Sequence, residues 1–163
     1  MTSFSAVYDS FLSKITDDMY MELTREDTKK LLKELFFSAL PHFEFPRQNL
    51  DDYDATAETF NIDLTEEEIN IIAIYMIVEW IGQQLASIEN IRMKYTGVDF
   101  KMTSQANHMA KLQSLKSKYE TEGFHLQRLY KRRIKDDEGV QRTTLSSIME
   151  AVPRGRFLYG NKV

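Results

Sequence analysis

The side chains of this chain that could do chemistry are few. They are three histidines, one carboxylate set in an apolar run, two knots of acid, and a basic cluster near the C-terminal end. His42, His108 and His125 could each ligate a metal or move a proton. None lies three or four residues from another, so neither His-x-x-Glu-His nor His-Glu-x-x-His occurs, and a zinc helix has no support. With no cysteine, disulfides and thiolate metal sites are excluded. There is no glycine-rich phosphate loop, no Gly-x-Ser-x-Gly and no other nucleophile–base signature. The histidines are therefore expected at a surface or interface. No catalytic residue, metal site or cofactor is expected.

The carboxylates point the same way. "DLTEEE" (63–68) lacks the glycine and the twelfth-position glutamate of an EF-hand loop, and a solvated helix start accounts for it better than calcium. "LDDYD" (50–54) reads as a bare acidic loop, solvated or facing a partner. Glu79 lies between Val78 and Trp80 inside an apolar run, where an unpaired carboxylate is costly. It could be an acid or base with a raised pKa. The expectation is instead that it sits at the edge of a bundle or pairs with a basic side chain.

"LYKRRIK" (129–135) gathers Lys131, Arg132, Arg133 and Lys135 just after Arg128, and "AVPRGRFLYGNKV" (151–163) adds Arg154, Arg156, Phe157 and Tyr159. Residues 1–110 carry 9 Lys+Arg against 19 Asp+Glu, a balance of −10; residues 111–163 carry 12 against 6, a balance of +6, and the two sum to the net −4. A chain so polarised can bring its basic end to its own acidic body, to another copy's body, or to nucleic acid. Partner or subunit contact is favoured over direct DNA binding because the chain itself supplies the acidic surface.

The elements that must position these residues are helical. Phe4, Val7, Tyr8, Phe11, Leu12 and Ile15 keep helical spacing behind Ser3, a plausible N-cap. Thr24 and Asp27 open a second helix with apolar residues Leu31, Leu32, Leu35, Phe36 and Leu40, which Pro41 should stop. Phe60, Ile62 and Leu64 alternate as a short strand or an extended strap. Thr65 and Glu68 form a capping box before "EINIIAIYMIVEWI", and Ile69–Ile81 is apolar on nearly every side, as in a central helix. That run is thirteen residues, short of the roughly twenty of a bilayer span, so no membrane is expected. Ser104 could cap a further helix with Met109, Leu112, Leu115, Tyr119, Phe124, Leu126, Leu129 and Tyr130 on its face, kinked or split at Gly123. A turn at Gly139 could join short strands around Ile134 and Val140, and "TLSSIMEAV" could add a last helical turn. The opening residues lack the basic start and apolar run of a secretory leader, so none is expected.

The stretch "DLTEEEINIIAIYMIVEWIGQQLASIENIRMKYTGVDFKMTSQANHMAKLQSLK", together with "YDSFLSKITDDMY" and "GFHLQRLYKRR", resembles the head–tail connector (adaptor, neck) proteins of tailed bacteriophages. The resemblance implies a mainly α protein: a helical bundle with a short extended or hairpin element and a projecting C-terminal tail. It implies a connector domain over 1–150 and a docking tail over 151–163. It implies a virion protein of the head–tail junction, made in the host cytoplasm, that forms a ring, commonly twelvefold, below the portal protein. A downstream neck protein, stopper or tail terminator, docks beneath, and genomic DNA passes through without sequence-specific binding. Arg154, Arg156, Phe157 and Tyr159 then anchor the tail on the portal or a neighbouring subunit, while Arg128, Lys131, Arg132, Arg133 and Lys135 form a basic interface or face the DNA. Two rivals remain: a helical nucleic-acid-binding or regulatory protein using 128–135, and an enzyme with a site around Glu79 or a histidine.

Overall fold

The computed structural model describes residues 1–15, 24–94, 102–135 and 141–143. It is mainly helical, with four helices and two small antiparallel hairpins among the described residues. The chain divides into two compact units, Met1–Gln127 and Arg128–Val163. The 150/151 boundary, the tail and "TLSSIMEAV" lie outside the described residues, as does Gly139.

The first unit is built by local signals that close as their sequence suggests. Helix α1 (Phe4–Leu12) starts where Ser3 Oγ accepts the Ser5 amide. Helix α2 (Arg25–Ala39) starts where Thr24 Oγ1 accepts the Asp27 amide and donates to its carboxylate. It stops at Ala39, and Leu40–His42 tightens into a 3-10 turn carrying Pro41. Helix α3 (Glu66–Lys94) opens on a reciprocal capping box: the Glu68 amide donates to Thr65 Oγ1 at 3.3 Å and the Thr65 amide to Glu68 Oε2 at 2.8 Å. Glu68 is buried by that exchange, so the acidic start is not uniformly solvated; Glu66 is exposed, Glu67 half-buried.

Helix α3 is central. Ile71, Ile72, Ala73, Met76, Ile77 and Ile81 are fully buried or nearly so, and α1 and α2 pack against it. The segment Glu66–Ile88 is long and apolar enough to cross a membrane by length and composition, more than its thirteen-residue apolar centre suggests. Half of its most apolar stretch is enclosed by the protein itself, which is how a helix apolar on every side is satisfied in a bundle. Beside it stands a cluster of rings, with Phe4–Phe36 centroids 4.6 Å apart, Phe4–Phe60 5.1 Å and Phe36–Phe60 5.7 Å.

Phe60 enters that cluster from a hairpin, β1 (Tyr53–Asp54) and β2 (Thr59–Phe60). Of the alternating trio Phe60, Ile62 and Leu64, only Phe60 lies in a strand. The first residues of the chain line the other edge of β2: the Thr2 amide donates to Ile62 O, the Phe60 amide to Thr2 O and the Phe4 amide to Glu58 O. The Asp54 carboxylate holds the connecting turn by accepting the Thr56 and Ala57 amides, which lowers its pKa. Glu58 sits in the left-handed region at φ 55. The charged ends of Lys29 and Lys33 reach its carboxylate, and these donors, above all the Lys29 hydrogen bond, lower its pKa.

Helix α4 (Met102–Arg132) begins two residues before Ser104, which is therefore inside the helix, not capping it. It runs on through Gly123, so the helix is not split there. A Cβ on Gly123 would meet Tyr75 Cζ at 2.9 Å, and one on Gly82 would meet Lys116 at 3.9 Å. Gly123 thus lets the Tyr75 ring lie on the helix backbone. The two contacts run in opposite chain order, so α3 and α4 are antiparallel. The shielded positions of α4 in this unit are Met109, Leu112, Lys116, Tyr119, Gly123, Leu126 and Gln127. Leu115 and Phe124, expected on that face, are exposed. The second unit holds the end of α4 and the hairpin β3 (Arg133–Lys135) and β4 (Gln141–Thr143), with Ile134 opposite Arg142. Ile134 is in a strand as expected; Val140 lies outside the described residues.

Candidate docking site

Two places in the first unit bring polar chemistry together. The first is a tie between α3, α4 and the 3-10 turn. Gln127 is almost completely buried. Its Nε2 donates to His42 O at 2.8 Å and to Tyr75 Oη at 2.5 Å, and its Oε1 accepts the Glu44 amide at 2.8 Å. The amide has spent both donors and one acceptor site on protein groups. The His42 ring stacks on Tyr75, with centroids 5.3 Å apart and planes at 9°. His42 Nε2 meets Glu79 Oε1 at 2.8 Å. Glu79 is thus at the bundle edge with a basic partner. Burial raises the Tyr75 pKa while the Gln127 hydrogen bond works against that rise; Glu44 and Glu120 add to it.

The second place is a cleft of about 510 Å³. Its walls are Phe37, Leu40, Pro41, Phe43, Pro46 and Leu50, with Tyr53, Gln48, Asn49 and Asp51 completing the lining. Its volume lies within the roughly 300–1,000 Å³ range of ligand-sized pockets. The local sequence explains the shape. Pro41 ends α2, Pro46 keeps the following segment out of a sheet, and Leu50 and Phe43 turn inward to the core. The acidic loop beside it is not bare. Asp52 accepts from Asn61 Nδ2 at 2.6 Å, and Asp54 is committed to its turn. Asp51 is exposed, and its carboxylate has no partner among the described residues.

No family model, no curated protein and no solved structure matches this chain.

The residues singled out from sequence are distributed as follows. Arg128, Lys131 and Arg132 are exposed on the last turns of α4, three and four residues apart and so on one face; Arg133 opens β3 half-buried. Lys135 pairs with Gln141 in the hairpin. The basic cluster is therefore divided between a helix end and a strand. Arg154, Arg156, Phe157 and Tyr159 lie outside the described residues. His108 and His125 are exposed on α4. Among the described residues no group of three or more His, Asp or Glu is placed to hold a metal ion. Sequence reasoning missed Tyr75 and Gln127, and read Gly123 only as a kink or break. The signal available was positional: in α4, Gly123 and Gln127 continue the three-and-four spacing from Met109, Leu112, Lys116 and Tyr119, whereas Tyr75 lies within the apolar centre of α3.

Proposed function

We propose that this protein is a structural adaptor of a tailed-bacteriophage neck, without catalytic activity. It assembles as a ring, twelvefold by family resemblance, between the portal protein and the next neck protein, with DNA passing through. A ring contact is heterologous, so one face must complement a different face. The observation that carries the reading is such a pair of unlike surfaces. One is a cleft lined by both apolar and polar side chains, with Asp51 among them. The other is the cationic end of α4 at Arg128, Lys131 and Arg132. The helical fold, the sequence resemblance and the cationic-aromatic segment 151–163 support the same reading. Electron microscopy of the purified protein mixed with its portal tests it. The expected result is an added ring below the portal; a portal left bare at saturating protein would overturn it.

A second reading has one observation in its favour. Arg128, Lys131 and Arg132 share a helix face, a spacing suited to following phosphates. Binding of the isolated chain to duplex DNA that weakens steeply with salt would favour it over the adaptor.

A further inference from the structure

We infer that the Phe37–Tyr53 cleft is the receptor for residues 151–163 of a neighbouring copy of this chain. The inference rests on the adaptor reading only in taking that segment as a docking element, and it commits to a subunit as the partner.

The lining of the cleft suits an aromatic occupant. It is walled by residues of the 3-10 turn and by two prolines, and Phe37, Leu40 and Tyr53 are apolar or aromatic side chains in its lining. Segment 151–163 carries Pro153, Gly155 and Gly160, which disfavour a regular helix, and Phe157, Leu158 and Tyr159 in succession. Rings are effective anchors because each buries about 150–250 Å² and can pack on other rings.

Charge selects the same occupant. Residues 41–54 carry Glu44, Asp51, Asp52 and Asp54 against Arg47, a side-chain balance of −3. Residues 151–163 carry Arg154, Arg156 and Lys162 and no acid, a balance of +3. Within the acidic stretch the roles are divided. Asp54 holds its turn and Asp52 holds Asn61, but the Asp51 carboxylate is exposed on the cleft lining and has no bonded partner among the described residues. A guanidinium arriving with the aromatic residues would meet that oxygen pair without displacing an existing bond.

The test uses the full chain. A labelled peptide of residues 151–163 is titrated into the Phe157→Ala/Tyr159→Ala variant, whose own segment is disabled. Saturable binding is expected. It should weaken about tenfold when Asp51→Lys is added, and recover in that chain with an Arg156→Glu peptide. Binding that does not saturate, or that ignores Asp51→Lys, overturns the proposal. The chain has no cysteine, so two single-cysteine variants, Asn49→Cys and Gly160→Cys, can be mixed under oxidation. A disulfide between the two chains is expected. A disulfide that forms only within a chain carrying both substitutions overturns the assignment to a neighbouring copy. A ring on the portal without either result leaves the adaptor reading standing and ends this one.

Discussion

Two tyrosines at the two sides of the bundle experience burial differently. Tyr8 packs on Phe36 in the ring cluster formed by α1, α2 and β2, and its hydroxyl is buried with no hydrogen-bond partner among the described residues. Tyr75 is pressed between the His42 ring and Gly123, and its hydroxyl takes a hydrogen bond from Gln127. Burial pushes the Tyr8 pKa up to about 12, with help from Glu58, whereas at Tyr75 the Gln127 bond opposes the rise. One side of α3 is held by apolar area and tolerates a polar defect. The other is held by a small set of directional bonds and has little apolar area to spare. Apolar area sets how stable the unit is; directional bonds set how α4 lies on α3.

The largest effect that tests this division is Phe36→Ala. The ring is fully buried and faces Phe4, Tyr8, Phe37 and Phe60. Its removal leaves a cavity at the centre of the cluster, with an expected loss of about 3–5 kcal/mol. Chemical denaturation should show the midpoint falling steeply, with all of α1, α2 and α3 melting together. A loss under about 1 kcal/mol would mean that the cluster is not where the stability resides.

Next comes Gln127→Ala. The substitution strands the His42 carbonyl, the Glu44 amide and the Tyr75 hydroxyl at once. A buried group left unpaired costs about 1–3 kcal/mol, and water admitted to this edge offsets part of the total. A net loss of about 2 kcal/mol is expected. Hydrogen exchange should locate it in α4 and residues 40–44 while the ring cluster stays protected. Uniform acceleration across the unit would contradict the division.

What was legible in the sequence divides along the same line. Ser3, Thr24–Asp27, Thr65–Glu68 and the stop at Pro41 were readable because each donor and acceptor lies within a few residues of the other. The apolar centre of α3 was readable because burial on every side needs no partner to be known. The tie at Gln127 was not, because its partners lie 52, 83 and 85 residues away. The face of α4 was misread at Leu115 and Phe124 for a related reason. Lys116 and Gly123 fill the shielded positions there, and neither is apolar by type: one lays a long stem along the helix, the other makes room for the Tyr75 ring. The cleft was half legible. Its acidic loop and breaking prolines stood out, but the commitment of Asp52 to Asn61 depends on a contact the sequence does not display.

Gly123→Ala measures how tightly the directional side is packed. Alanine is a better helix former than glycine by roughly 1 kcal/mol. Against that gain, the new methyl would sit 2.9 Å from Tyr75 Cζ, and the ring is fixed from behind by His42 and at its hydroxyl by Gln127. Overpacking of this kind costs about 1–3 kcal/mol, so a net loss of about 1 kcal/mol is expected by thermal melting. A stabilised protein would show that Tyr75 moves freely and that the tie does not set the helix position.

The smallest effect should appear at the other tyrosine. Tyr8→Phe removes a buried hydroxyl with no hydrogen-bond partner among the described residues, so it should leave stability unchanged or raise it by up to about 1 kcal/mol. Its pH dependence is the sharper readout. The folded pKa is raised to about 12 from 10.0, so between those values the unfolded chain releases the Tyr8 proton and the folded chain keeps it. The unfolded state then binds fewer protons, and stability falls as pH rises. The contribution of Tyr8 is whole below pH about 10 and is lost from there toward about 12. Denaturation midpoints measured from pH 9 to 11 should therefore fall less steeply in Tyr8→Phe than in the parent. The bonded Tyr75 is left as a weaker source of the same trend. An unchanged slope would mean that the Tyr8 hydroxyl reaches solvent, and the contrast between the two sides of α3 would then rest on Gln127 alone.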